Sequence, residues 1–186
     1  MKRRWVWLAI SLLLALAAAY LWREARRERR YLPQIHAAAR RYAVDPLLVK
    51  AVVWRESHFQ PDARGTKGEI GLMQVQEAAA REWTNAERNG CFRHEHCFDP
   101  QTNTLVGAFY LGKLLKRYAG TDNPVPYALA DYNAGRGNVL KWLTGPAATN
   151  SAAFIAQIGF PSTRGYVKVV MQRYQRYRPV FGLEPQ

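Results

Sequence analysis

Residues Trp54 to Gln74 read WRESHFQPDARGTKGEIGLMQ. The stretch joins the end of an apolar helix, closed by the carboxylate of Glu56, to a polar turn punctuated by Pro61, Gly65, Gly68 and Gly71. Asp45 before Pro46 marks where that helix begins, because an Asp side chain accepts from the free N–H groups of a first turn and proline tolerates the first helical position. The predicted helix runs from Pro46 to Ser57. Val49, Val52 and Val53 stand seven, four and three residues before Glu56 and share its face. The acid therefore ends an apolar stripe. Desolvation and the negative end of the helix dipole both disfavour its anion, so its pKa is expected above the ordinary value of about 4.3. A glutamate that keeps its proton near neutrality is what a general acid requires. Helix position alone also allows a solvated side chain in a last turn.

Pro61 and the glycines forbid a continuous helix, so the backbone must bend closely around whatever the acid faces. A helix is expected to resume through Gly71-Leu72-Met73-Gln74. Gln74 then presents an amide donor and acceptor, a pairing suited to sugar hydroxyls and N-acetyl groups.

Glu56-Ser57-x-Phe59-x-Pro61-x-Ala63, followed by Gly68-x-x-Gly71-Leu72-Met73-Gln74, resembles the signature of the SLT-type lytic transglycosylase catalytic domain, a lysozyme-like fold that cleaves peptidoglycan. The spacing holds over nineteen positions, which is far more specific than a lone short motif. Other segments extend the resemblance. Asp99-Pro100 with Asn103, Gly107, Tyr110 and Leu111 fits the family's D-P-x-x-N-x-x-x-G-x-x-Y-L pattern, expected to pack beneath the groove. Ala130-Asp131-Tyr132-Asn133-Ala134-Gly135 is similar to A-x-Y-N-A-G, and Ser162-Thr163-Arg164-Gly165-Tyr166-Val167 to E-T-R-x-Y-V. The resemblance implies an all-α, lysozyme-like domain in which Glu56 is catalytic and Met73, Gln74, Tyr132, Asn133 and Tyr166 line the substrate groove. Read without it, Tyr132 and Asn133 are equally a packed aromatic and a C-cap, and Tyr166 a core aromatic with a wet end. Three positions depart from the pattern. Gly65 stands where many relatives have Ser, Ser162 replaces the glutamate before Thr-Arg, and Glu77 stands where Pro is usual.

Ordinary glycosidases use two carboxylates, whereas the matched segments supply one. Asp62, Glu69 and Asp131 match no catalytic position of the family. The resemblance thus implies a lytic transglycosylase: Glu56 protonates the bond between N-acetylmuramic acid and N-acetylglucosamine. As a base it then takes the C6 hydroxyl proton, leaving a 1,6-anhydro end. Neither a metal nor an organic cofactor is expected. Two other readings stay open: a lysozyme-type hydrolase with the same acid, and a peptidoglycan-binding scaffold weakened in catalysis by Gly65 and Ser162.

Trp5 to Trp22 form an uncharged run of eighteen residues, roughly 27 Å as a helix, nearly the thickness of a bilayer core. Trp5, Trp7, Tyr20 and Trp22 put aromatics at both ends. An uncleaved anchor is preferred to a cleaved signal peptide because the run exceeds the usual apolar length of about 7–15 residues. Residues 1–30 are then an anchor and basic linker, and 31–186 the catalytic domain. Three basic residues precede the span and five follow it before residue 31, which by charge alone favours the opposite orientation from that needed by a wall-cleaving enzyme. The catalytic motif and the cysteine pair argue for the periplasmic side of a bacterial inner membrane, single-pass. Residues 1–30 carry a net +6 of the chain's +13. The remaining basic excess favours an acidic polymer, and no basic-aromatic module points to nucleic acid.

Four more helices are expected: Pro33 to Ala43, Pro100 to Tyr118, Pro124 to Asn133, and one following Phe160. From Asn85 to Thr102 periodicity lapses, which predicts a long loop. Cys91 and Cys97 bracket it and read most simply as a disulfide. With His94 and His96 they also offer zinc-ligand types, at a spacing that matches no strong pattern.

Overall fold

A computed structural model describes residues 2–181. Nine α-helices account for most of them: α1 Lys2–Arg30, α2 Leu32–Arg41, α3 Pro46–Ser57, α4 Glu77–Glu87, α5 Pro100–Arg117, α6 Pro124–Ala134, α7 Arg136–Trp142, α8 Ser151–Gln157 and α9 Pro161–Phe181. Local chemistry explains where three of them start. Asp45 Oδ1 accepts from Leu47 N at 2.8 Å ahead of α3, Asp99 Oδ2 from Thr102 N at 2.8 Å ahead of α5, and Asn123 Oδ1 from Val125 N at 3.1 Å ahead of α6. Each is followed by a proline at the first turn, where a missing N–H costs nothing.

The helices pack around α3, α5 and α6. Helix α2 lies against α3 and α5, α5 against α6, and α9 against both α3 and α6. Val49, Val52 and Val53 are fully buried, each contributing about 1.5–3 kcal/mol of apolar burial before chain entropy is counted. Two glycines permit close approach elsewhere. A Cβ at Gly107 would overlap Met73 Sδ, and one at Gly112 would sit 3.0 Å from the Tyr42 carbonyl oxygen.

The chain between α3 and α4 differs from expectation. Gly71 to Gln74 form turns, not a helix, and the helix starts at Glu77. Gly71 and Gln74 both have positive φ, +77° and +46°, which a right-handed helix excludes. Isolated antiparallel bridges, Arg64 with Ile70 and Ile70 with Val75, replace helical hydrogen bonds. Glu77 is the first residue of α4. The expected loop from Asn85 to Thr102 is shorter than read, since α4 runs to Glu87 and a 3₁₀ turn spans His94–Phe98. Gly135, at φ +79°, does end α6, but the chain re-enters helix at once as α7, with Gly137 inside it.

The expected Cys91–Cys97 disulfide is not formed. Cys97 is fully buried on the 3₁₀ turn, its own carbonyl accepting from Asn103 of α5, whereas Cys91 lies exposed before that turn. His94 and His96 are bound separately, to the Val75 carbonyl and the Arg93 amide. Among the described residues no three His, Cys, Asp or Glu side chains gather in a way that holds a metal ion.

Helix α1 is long and apolar enough to cross a membrane, and Trp5, Trp7, Leu12, Leu13, Leu14, Leu21 and Trp22 are all exposed along it. Its far end is fastened to the globular part. Glu28 accepts from Arg173 Nη2 and Tyr177 OH, both at 2.8 Å, and pairs with Lys50 Nζ at 3.2 Å. The basic stretch of α9 is therefore partly engaged with α1.

Candidate active site

The recess at the end of α3 is built by the turn that follows it. Ser57, the residue after the acid, donates its hydroxyl to the Leu72 carbonyl at 2.8 Å, tying α3 to the far side of the turn. Phe59 is buried and plugs the turn into the core. Asn103 of α5 holds the turn from below: Oδ1 accepts from Met73 N at 2.8 Å, and Nδ2 donates to the carbonyls of Ile70 at 2.9 Å and Cys97 at 2.7 Å. A Cβ at Gly71 would overlap Asn103 Nδ2, so the glycine is required by close approach as well as by its positive φ. The motif Ser-x-Phe and Gly-Leu-Met is thus mainly the scaffold that aims Glu56.

Glu56, Gly65, Thr66, Glu69, Gln74, Gln76, Tyr132 and Asn133 line one recess. Beyond Gln74, Gln76, Tyr132 and Asn133 the surface continues as a trough past Lys67, Tyr110, Glu82 and Gly135. Burial pushes the Glu56 carboxyl up to about 7. The hydrogen bond from Tyr166 and the charge of Arg55 oppose this, and the charge of Glu69 reinforces it. Tyr166 OH donates to Glu56 Oε1 at 2.6 Å, and the Arg55 guanidinium lies over the Tyr166 ring at 5.4 Å. Burial, and next the Glu56 charge, push the Tyr166 and Tyr132 phenols well above their ordinary range. Both stay protonated donors. Tyr132 spends its proton on the Met73 carbonyl at 2.8 Å, and Asn133 Oδ1 accepts from Thr163 Oγ1 at 2.9 Å. Arg164, next to Thr163, is anchored in turn on the Ile158 carbonyl, with Nη2 at 2.5 Å.

Of the residues expected to line the groove, Gln74, Tyr132 and Asn133 share one recess with Glu56, and Tyr166 donates to the acid from α9. Gln74 is not the start of a helix. Its Nε2 is taken by the carbonyls of Gly71 at 2.9 Å and Ala63 at 3.2 Å. Met73 does not line the recess: its side chain is fully buried against Gly107, and it reaches the site through its backbone alone. Glu69 and Gln76 were not legible as site residues. Their spacing places them in a turn, and which of its side chains face inward depends on the bridges that fold it.

The globular part matches a family model described as the transglycosylase SLT domain over residues 33–155. The chain belongs to the transglycosylase SLT family. This SLT chain is 38% identical over 122 residues to the membrane-bound lytic murein transglycosylase C of Klebsiella pneumoniae, covering 62% of this chain and 34% of that one. It is 36% identical over 113 residues to the membrane-bound lytic murein transglycosylase F of Desulfosudis oleivorans, covering 59% and 23%. Among solved structures it superposes on an inactive variant of the lytic transglycosylase Slt from Pseudomonas aeruginosa with TM-score 0.73 and 27% identity, over 83% of this chain and 24% of that one. A 70-kDa soluble lytic transglycosylase in complex with bulgecin A gives TM-score 0.73 and 26% identity, over 82% and 25%. The SLT chain spans about a third or less of the length of these relatives. The fold is therefore all-α and lysozyme-like.

Proposed function

We propose that the protein is a membrane-anchored peptidoglycan lytic transglycosylase with Glu56 as its single acid and base. The observation that carries this is the state of Glu56: an acid pushed up to about 7, in an open recess, with a phenol donor 2.6 Å from one oxygen. The names of the relatives support the same reaction class.

In the first step Glu56 gives its proton to the glycosidic oxygen between N-acetylmuramic acid and N-acetylglucosamine. The bond from the muramyl C1 to that oxygen breaks, its electron pair leaving with the oxygen. The positive charge left on the muramyl ring is met by its own N-acetyl oxygen and by groove dipoles. In the second step the C6 hydroxyl of the same ring attacks C1 and its proton passes to the Glu56 carboxylate, which restores the acid and leaves a 1,6-anhydro end. Tyr166 stabilises the carboxylate between the two steps by donating to it, and Gln74, Tyr132 and Asn133 supply the polar wall against which the sugar lies.

Residues 1–30 serve as anchor and linker, with 31–186 as the catalytic domain on the periplasmic side of a bacterial inner membrane. The exposed apolar length of α1 supports the anchor. A reporter fused after Gln186 tests the orientation.

Mass analysis of muropeptides released by the purified protein tests the reaction. Anhydro ends that vanish in Glu56→Gln support it, and unchanged turnover in that variant sinks it. A hydrolase is the competing reading, favoured by one observation, the second carboxylate Glu69 in the recess. It would leave reducing ends.

A further inference from the structure

The site lacks a side chain at Gly65, yet the space there is filled. A Cβ added at Gly65 would overlap Glu69 Oε2 and lie 2.9 Å from Gln74 Oε1. Glu69 is fixed in that position from both sides: Oε2 accepts from Lys67 N at 2.9 Å and Oε1 from Gln76 Nε2 at 3.2 Å. Gly65 N in turn donates to the Glu69 carbonyl at 2.7 Å, which closes the base of the turn. The carboxylate thus stands on the wall of the recess that holds Glu56.

Its chemistry differs from that of Glu56. Partial burial would push Glu69 up, but hydrogen bonds from its own backbone amide, the Lys67 amide and Gln76 hold it below the ordinary carboxylate range. Donors that favour the charged form make a weak base. They also make a fixed anion, which is the right partner for positive charge that develops only in a transition state.

Resting on the lytic transglycosylase reading of this recess, we infer that Glu69 is a second substrate-facing carboxylate, occupying the space left by Gly65 and setting a negative charge against the cation formed on the muramyl ring. No bond forms to Glu69 and no proton passes to it. Its charge acts on Glu56 as well. The groups that bear on Glu56 are Arg55 from α3, Tyr132 from α6, Tyr166 from α9 and Glu69 from the turn. Arg55 and the Tyr166 hydrogen bond favour the anion of Glu56, whereas Glu69 favours its protonated form.

The test compares Glu69→Gln, Glu69→Ala, Gly65→Ser and Glu56→Gln in the full chain, on purified sacculi, across pH. Glu69→Gln keeps the size and an acceptor for the Lys67 amide but removes the charge. It is expected to lower kcat about tenfold or more, to change KM much less, and to move the alkaline limb of the rate profile to lower pH. The anhydro product stays the same. Gly65→Ser is expected to displace the carboxylate and lower kcat similarly, while adding little to Glu69→Ala. If Glu69→Gln has wild-type rate and pH profile while Glu69→Ala is slow, Glu69 only staples the turn and the inference is overturned. If Glu69→Gln abolishes a reducing-end product and nothing else, Glu69 activates water and the inference is likewise overturned. An active Glu56→Gln would instead remove the reading of the recess on which it rests.

Discussion

Tyr166 OH lies 2.6 Å from Glu56 Oε1, although the two residues are 110 positions apart in the chain. The contact fixes the acid's rotamer and serves the two protonation states unequally. A phenol donates more strongly to a carboxylate than to a carboxylic acid, so the bond tightens when Glu56 has given its proton away. Tyr166→Phe is therefore expected to raise the Glu56 pKa above its present value of about 7 and to move the alkaline limb of kcat/KM to higher pH. The same change is expected to lower kcat about tenfold or more, because the carboxylate formed in the first step loses its donor. A pH–rate profile on solubilised glycan strands reads both effects. A profile that keeps the wild-type alkaline limb would exclude Tyr166 as the group that tunes the acid.

The raised pKa of Glu56 also has a stability consequence. The unfolded chain releases this proton near the ordinary value, whereas the folded chain holds it up to about 7. Between those two pH values the folded state binds more protons than the unfolded one, so stability falls as pH rises through that window and levels off above it. A shift of this size corresponds to about 3 kcal/mol. Glu56→Gln has no such dependence. Its melting temperature is expected to match the wild type near pH 4 and to exceed it by roughly 5 °C or more at pH 8. Calorimetry at the two pH values checks this, and an equal difference at both would contradict a neutral buried acid.

The sequence made α3 legible to the residue because three local signals agree there: the Asp45 cap, Pro46, and a valine stripe ending at Glu56. The long-range contacts of the site were less accessible. Tyr132 and Asn133 sit in a motif whose spacing is recognisable, but nothing local says that Tyr132 OH reaches the Met73 carbonyl or that Asn133 accepts from Thr163. Met73 shows the opposite error. Its place between Leu72 and Gln74 suggested a groove residue, yet Gly107 opens a slot in α5 that takes its side chain into the core. Helices α7 and α8 were unread because each has seven residues, too few for a helical period to show, and Gly135 and Gly137 look like breakers. A single glycine at positive φ turns the chain between α6 and α7 without ending helical structure.

The two thiols make contrasting predictions. Burial pushes the Cys97 thiol up to about 12, while Cys91 is exposed. At pH 8 an aromatic disulfide reagent is expected to modify Cys91 rapidly and to spare Cys97 until denaturant is added. Counting released chromophore with and without guanidinium separates the two. Failure of both thiols to react even after unfolding would mean that they are bonded to each other.

Asn103 is the residue on which the geometry of the recess depends most. It is fully buried and makes three hydrogen bonds, to Met73 N, the Ile70 carbonyl and the Cys97 carbonyl. These join α5 to both sides of the turn that carries Glu69 and Gln74. Asn103→Ala takes the partner from Met73 N and from the Cys97 carbonyl in a buried place, each costing about 1–3 kcal/mol in principle, while the Ile70 carbonyl keeps its bond from Val75 N. Relaxation and water entry recover part of that, so a loss of about 3–5 kcal/mol is expected. Asn103→Asp keeps the acceptor for Met73 N but loses both donors and buries a charge, and is expected to be no better. Because the Met73 carbonyl holds Tyr132, the loss is also expected to reach the recess, lowering kcat in whatever fraction remains folded. Urea unfolding followed by tryptophan fluorescence measures the stability change. A variant within about 1 kcal/mol of wild type would show that the turn is held by other contacts and that Asn103 does not position the site.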